Sequence, residues 1–445
     1  MNPYLSRSRI SKALTDSGLA GSFGEAESRL DAVRPCVLLG ESVAATPAGQ
    51  YAALTAVATM RKCFGNALLV IPFDTPLGQP LPVGRTLAEV ALGFGATVSG
   101  SIDGGITHLV RIGDARPWQG WQVSCWWDRW LSGTRLVDVP CGSSSLAPAG
   151  IFAGALATRQ VFGNLLSGTP PREAAVSLWE PAREASPGRS GPKRFVMPNE
   201  LWLVGLGHLG QGFVWSLSSL ALGGARLAVL QDDQWIEPEN EPTSILATGH
   251  DVAERCRKVR LAARWLEHSG WVTQLIERRH RGDIALLDND PPILLSGLDD
   301  VRPRRLLAAQ KFDYMIDAGI GRGPRDFEGI QIRTIPGGSD PARLWLDEPE
   351  DAARRKRLLA RAAYSALEHD IGQCGVVPLA DASVSVPFVG AATGALVAGQ
   401  LARLGEMRPA VSLLQMELNA PEMIIDGGVA DGPESFLGGE TIVLD

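Results

Sequence analysis

Residues 201–233 read LWLVGLGHLGQGFVWSLSSLALGGARLAVLQDD, and this stretch decides the fold. A short apolar run, 201–204, meets Gly205, Gly207 and Gly210 in G-x-G-x-x-G spacing. A helix-length apolar segment comes next, then a second apolar run that ends in Asp232 and Asp233. That order predicts strand, glycine turn, helix, strand. Turn glycines let backbone N–H groups approach a phosphate seated on the helix N-terminus, and an acid after the second strand can take a ribose hydroxyl. The glycine spacing alone also fits NAD, FAD or ATP, or plain helix-on-sheet packing. The residues beyond Asp232 decide which nucleotide is meant.

A chain of 445 residues is long enough for two or three cores. No run of eighteen apolar residues is present to span a bilayer, and the N-terminal MNPYLSRSRISKAL lacks a signal-peptide core, so no membrane partner and a cytoplasmic location are expected. The net charge of −7 argues against a nucleic-acid surface, because affinity for phosphates is built from clustered Lys and Arg. The basic run Arg354-Arg355-Lys356-Arg357 lies among acids and reads as a solvated helix face. The six cysteines, Cys36, Cys63, Cys125, Cys141, Cys256 and Cys374, show neither C-x-x-C pairs nor His spacing for zinc. Reduced thiols are expected, one of them a candidate for chemistry.

Working outward, the first half reads as a weaker copy of the second. Residues 35–39 form a strand pattern that runs into a turn, an amphipathic segment covers 48–64, and another apolar run covers 67–71. The turn is Gly40-Glu41-Ser42, which sets a carboxylate where phosphate oxygens would lie. A second echo supports duplication. Cys141-Gly142 precedes LAPAGIFAGALATRQVF and Cys374-Gly375 precedes VPFVGAATGALVAGQLARL, each a Pro-led helix rich in small residues. The expected organisation is α/β with two Rossmann-like halves. These are a degenerate N-terminal domain at 1–166, a Pro-, Gly- and Ser-rich linker at 167–198 that ends near Arg194, and an intact nucleotide domain at 199–445. Trp179, alone in the polar linker, is a candidate docking residue.

The second half carries the chemistry. After Asp232 come Gln234 and Asn240, then a helix pattern containing Lys258, then the strand pattern 292–296 ending in Gly297-Leu298-Asp299-Asp300, with Arg304 and Arg305 opening a helix. Acids at two strand ends and a lysine between them converge on the carboxyl edge of a parallel sheet, where open α/β sheets bind ligands. Singly, Lys258 reads equally well as a solvated helix residue and Asp299 as a helix cap. Their occurrence in order with the glycine turn favours a site.

On these residues the region resembles the adenylating domain of the ubiquitin-activating enzyme and ThiF/MoeB superfamily, over 198–320 and again over 374–404. The resemblance implies a ThiF-type fold that binds ATP and Mg²⁺. Gly205, Gly207 and Gly210 would form the loop, Asp232 would hold the ribose, Asn240 and Lys258 would meet the nucleotide, and Asp299 would hold the metal and phosphates. It implies adenylation of the C-terminal carboxylate of a ubiquitin-like protein, with Lys258 and Asp299 catalytic. A thioester on Cys374 would come second, and then transfer to a ubiquitin-conjugating-enzyme-like acceptor. The branch implied is that of bacterial phage-defence operons, working as a homodimer or an internal pseudo-dimer. Two departures stand out. Pro242-Thr243-Ser244 replaces the family's N-R-Q, removing a phosphate-binding arginine that Arg7 or Arg9 could supply, and Gln234 replaces a frequent acid. Cys374, in Ile371-Gly372-Gln373-Cys374-Gly375, reads as a glycine-flanked loop, with Cys256 the next candidate thiol. An NAD(P)-dependent oxidoreductase and an inactive scaffold for a ubiquitin-like partner are the alternatives.

Overall fold

The computed structural model describes residues 7–102, 104–221, 223–283, 285–321, 323–345 and 352–445, with the backbone alone at 352–354 and 370–375. The chain builds two large sheets with one connectivity. In the first, the strand order is Thr97–Ser99, Leu68–Val70, Pro35–Leu39, His108–Ile112, Trp121–Asp128, Leu131–Arg135, Ala174–Ser177. In the second it is Val272–Ile276, Leu227–Gln231, Glu200–Val204, Ile293–Ser296, Tyr314–Ile320, Gly329–Pro336, Leu413–Glu417, with Ile424–Asp426 added at the edge. In each, the first five strands are parallel and the rest antiparallel. The central strands Pro35–Leu39 and Glu200–Val204 are almost wholly apolar because helices or neighbouring elements cover both faces.

Each half closes its sheet with a pair of small-residue helices. Thr46 caps the helix Pro47–Phe64 by accepting from Gly49 N–H, Pro47 sits at its first turn, and Gly65 ends it at φ +75°. Its partner, Ala147–Ser167, lies so close that a Cβ at Gly150 would stand 2.0 Å from the Ala48 carbonyl oxygen. In the second half the helices His208–Ser218 and Pro387–Gly405 repeat the arrangement. A Cβ at Gly212 would stand 2.0 Å from the Gly390 carbonyl oxygen, and one at Gly394 would stand 2.0 Å from that of Gly212. The two Pro-led small-residue segments of the sequence are thus the closing helices of the two halves.

The four helices meet at the seam between the sheets. Phe162 packs on Phe388 with centroids 5.6 Å apart, and Tyr51 on Trp215 at 4.9 Å. The Trp215 indole N–H donates to Thr55 Oγ1 at 2.9 Å. One apolar core runs unbroken from Ile10 to Leu444. The seam is also polar in places: Arg159 of the first half pairs with Glu328 of the second at 3.0 Å.

Several expectations change on contact with the structure. The stretch 167–198 contributes a strand, Ala174–Ser177, to the first sheet, and a second, Arg194–Met197, pairs antiparallel with Glu440–Val443. Trp179 is not a docking residue: it is buried, tilted against Trp130 with ring centres 5.4 Å apart, and lies beneath the Arg403 guanidinium. Cys374 does not lie in a loop. Its backbone belongs to the twenty-residue helix Ala362–Asp381, which Gly372 and Gly375 fail to interrupt, and its side chain lies outside the described residues. Residues 383–386, ahead of the last small-residue helix, belong to no strand, and Ser385 N–H donates to the Arg9 carbonyl at 3.3 Å. No helix among the described residues is long and apolar enough to cross a membrane.

Candidate functional site

The strand Glu200–Val204 ends at Gly205, whose φ of +81° is a backbone state that side chains resist. A Cβ there would also press on the Gly297 carbonyl carbon and Leu298, each at 3.0 Å, so the glycine lets the next strand's exit pack against the turn. Gly210 is required by contact as well: its Cβ would meet the Gly205 carbonyl oxygen at 2.3 Å. Gly207 differs. It caps the helix His208–Ser218, and the nearest atom to a Cβ there is Lys258 Nζ at 3.7 Å. The turn therefore presents the N-terminus of an eleven-residue helix, an open glycine and a lysine ammonium at one place.

Asp232 closes this turn from the neighbouring strand. Its Oδ2 accepts from Leu206 N–H and its Oδ1 from Gln234 N–H, both at 2.8 Å. Burial raises its pKa, and the Lys258 charge and the two N–H donors oppose that rise. Lys258 opens the helix Lys258–His268, is buried, and donates to Gln234 Oε1 at 2.6 Å. Gln234, which stands where an acid is frequent, thus holds the lysine head with a neutral acceptor.

Asp299 lies three residues beyond the strand Ile293–Ser296, exposed, on the segment that abuts Gly205. Arg304 steadies that segment by donating to the Leu298 carbonyl from Nε at 2.8 Å and again from its terminal nitrogen. Arg9, on the N-terminal helix Ser8–Thr15, is the arginine that reaches this neighbourhood. Burial lowers its pKa, and the charges of Glu239 and Asp299 raise it. Its Nε donates to the Ser383 carbonyl at 3.1 Å. Arg7 instead pairs with Glu27 and Asp31. Asn240 opens a short helix, Asn240–Thr243, and its Oδ1 accepts from Glu237 N–H at 2.9 Å, so this oxygen shapes its own turn.

Two residues unseen in the sequence hold that turn in place. His208, within the glycine motif itself, is buried with its pKa pushed down to about 4, first by desolvation and then by the Arg9 charge. Neutral, it donates from Nδ1 to the Thr243 carbonyl at 2.5 Å. Lys62, fully buried in the first half, donates to the carbonyls of Glu241 and Ala247. Only its place in the last turn of an apolar helix marked it, and that signal is indistinguishable from an ordinary terminal lysine.

The equivalent turn of the first half is closed. Glu41, expected to repel phosphate there, is exposed at the start of the short helix Glu41–Ala44. The carboxylate that fills the turn is Asp114, whose Oδ1 accepts from Ser42 Oγ at 2.8 Å and Ser42 N–H at 3.1 Å. These hydrogen bonds hold the Asp114 carboxyl below its usual value. The five cysteines with described side chains form no disulfide. Burial raises the pKa of the Cys63 and Cys125 thiols, as expected of inert core residues.

The first half, over residues 35–177, matches the BilD N-terminal domain, and residues 197–407 match the BilD C-terminal domain. Over 411 residues the chain is 31% identical to the Bacterial E1-like protein BilD of Collimonas sp. (strain OK412), covering 89% of this chain and 87% of that one. Among solved structures, E. coli MccB alone is 15% identical with a TM-score of 0.36 over 54% of this chain and 64% of that one. MccB with MccA-N7isoASN is 14% identical with a TM-score of 0.35, covering 54% and 67%. These structural likenesses are too distant to assign any role. The sequence match is not: the chain belongs to the BilD family of bacterial E1-like proteins.

Proposed function

We propose that this protein is an ATP-dependent activating enzyme. It adenylates the C-terminal carboxylate of a ubiquitin-like protein, holds the acyl group as a thioester on Cys374, and passes it to a conjugating-enzyme-like acceptor. The observation that carries the reading is the convergence of Gly207, Asp232 and the Lys258 ammonium at one helix N-terminus, with Asp299 on the segment that abuts Gly205 and Arg9 reaching toward it from the N-terminal helix. Family membership supports it.

The chain's part in such a reaction is electrostatic. The partner's carboxylate oxygen attacks the α-phosphorus of ATP. An acyl–phosphate bond forms, the bond to pyrophosphate breaks, and the departing charge requires fixed cations. Lys258 supplies one against the turn and Arg9 a second from the N-terminal helix. Asp232, fixed by two N–H donors, keeps lone pairs for a ribose hydroxyl. Mg²⁺ binds through one or two carboxylates plus substrate phosphates, and the single exposed Asp299 suits that donor set. Among the described residues no cluster of three or more His, Cys, Asp or Glu offers an all-protein cage. When bound, the ion would neutralise charge on the leaving pyrophosphate. In the second step a Cys374 thiolate attacks the acyl carbon, a carbon–sulfur bond forms and AMP leaves. The first half acts as the inert partner of an internal pseudo-dimer.

Mg-ATP–pyrophosphate exchange with the ubiquitin-like partner tests this reading. Asp299→Ala is expected to abolish exchange with an unchanged melting temperature, because Asp299 is exposed and adds nothing to the core. Normal exchange in that variant would refute the phosphate site. Cys374→Ala is expected to keep exchange and lose the thiol-sensitive adduct. An adduct that persists would move the thioester to another cysteine, with Cys256 next.

A further inference from the structure

Residues 234–236 and 256–258 run side by side. Ile236 N–H donates to the Cys256 carbonyl at 2.8 Å, Lys258 N–H donates to the Gln234 carbonyl at 3.0 Å, and Trp235 bridges Arg257 between them. Side chains alternate across such a pair. Gln234 and Lys258 therefore serve the glycine turn, while Trp235 and Arg257 face the other way, into a cavity of about 400 Å³.

Four arginines line this cavity on a chain that is acidic overall: Arg255, Arg257, Arg260 and Arg264. The Arg257 guanidinium lies 4.1 Å from the Trp235 ring centre and that of Arg255 lies 5.6 Å away. Arg257 and Arg260 share Glu277, and Arg264 pairs with Asp251. Arg255 is exposed and makes no ion pair among the described residues, and Arg264 Nε is buried with no hydrogen-bond partner among them. Each guanidinium carries five donors in a planar fork, so the four arginines hold more oriented donors than the wall's carboxylates, Asp251 and Glu254, and the neighbouring Glu277 accept. Trp235, 37% exposed, adds an apolar face.

We propose that this pocket docks a segment of a protein partner in which a carboxylate stands next to an apolar side chain. The carboxylate would take the Arg255 and Arg264 donors while the apolar neighbour packs on Trp235. A lone small anion would use the arginines and leave the indole idle. Arg and Trp are also the residue types that dominate the energetics of protein interfaces. Because the pocket backs directly onto the Lys258 strand pair, a partner held there sits beside the glycine turn without occupying it.

The test is fluorescence anisotropy with a labelled heptapeptide alternating aspartate and leucine, titrated with full-length protein at low salt and without nucleotide. Leaving nucleotide out keeps the result independent of the adenylation reading. Saturable binding is expected, lost when asparagine replaces aspartate and weakened about tenfold by Arg255→Asp. Aspartate tolerates the left-handed backbone of position 255, φ +50°, so the variant keeps its fold. Absence of peptide binding, equal binding of the asparagine peptide, or wild-type affinity in Arg255→Asp would each overturn the proposal. Displacement of the peptide by inorganic phosphate, beyond that by chloride of equal ionic strength, would make the pocket a small-anion site instead.

Discussion

The turn after the first strand of each half shows how one topology reaches two outcomes. In the second half, a Cβ at Gly207 would meet only the Lys258 ammonium, at 3.7 Å, and the adjacent carboxylate, Asp232, is tied back by Leu206 and Gln234 N–H groups. In the first half a Cβ at Gly40 would strike Asp114 Oδ1 at 2.2 Å, and Ser42 donates to that same oxygen. The first turn is filled by the chain's own anion, which takes the Ser42 donors, so another anion would meet repulsion. The first half also supplies parts to the second. Lys62 pins the Glu241 and Ala247 carbonyls of the second half, and the N-terminal helix brings Arg9 near Asp299.

The comparison breaks most directly if the N-terminal helix is dispensable. Arg9→Ala is expected to slow pyrophosphate exchange roughly a hundredfold, the scale for removing one charge-stabilising group. Arg7→Ala should leave exchange rates near wild type and lower only stability, because Arg7 pairs with Glu27 and Asp31. Equal effects from the two variants would return Arg9 to a structural role.

A smaller effect sharpens the geometry of the open turn. Gly210→Ala brings a Cβ within 2.3 Å of the Gly205 carbonyl oxygen. Overpacking of that kind costs about 1–3 kcal/mol, which thermal unfolding would register together with weakened ATP binding. Gly207→Ala, whose Cβ would meet nothing closer than Lys258 Nζ at 3.7 Å, should spare stability and weaken ATP alone. If both variants lose stability equally, Gly207 is a packing glycine too.

The smallest effect concerns the seam. The Glu417 carboxyl is pushed up to about 7, first by burial and then by Glu328 and Asp326, with Arg159 of the first half opposing. Its folded value lies above its ordinary value of 4.5, so it stabilises the fold below that value and the contribution is lost as pH rises to about 7. Glu417→Gln should therefore melt higher than wild type at pH 8, and the gap should close toward pH 4.5. A pH-independent difference would place the cause in packing.

What was legible in the sequence was local or periodic. The glycine turn, its flanking strands and Asp232 lie within one short stretch, and the two Pro-led small-residue helices share one pattern. What was missed depends on distant packing. Asp114 reaches the first turn from the loop after another strand, and Lys62, an ordinary last-turn lysine by sequence, is buried because the second half covers it. Arg9 could be named but not separated from Arg7, because the choice rests on which face of the Ser8–Thr15 helix meets Asp299. Around Cys374 the glycines suggested a loop, yet the chain stays helical from Ala362 through Pro378 to Asp381.

The central claim, that one half binds nucleotide and the other cannot, is tested most directly by calorimetric titration of Mg-ATP into the wild-type chain and into Lys258→Met. One site per chain, lost or severely weakened in the variant, is the predicted result. Two sites per chain, or a single site untouched by Lys258→Met, would contradict it.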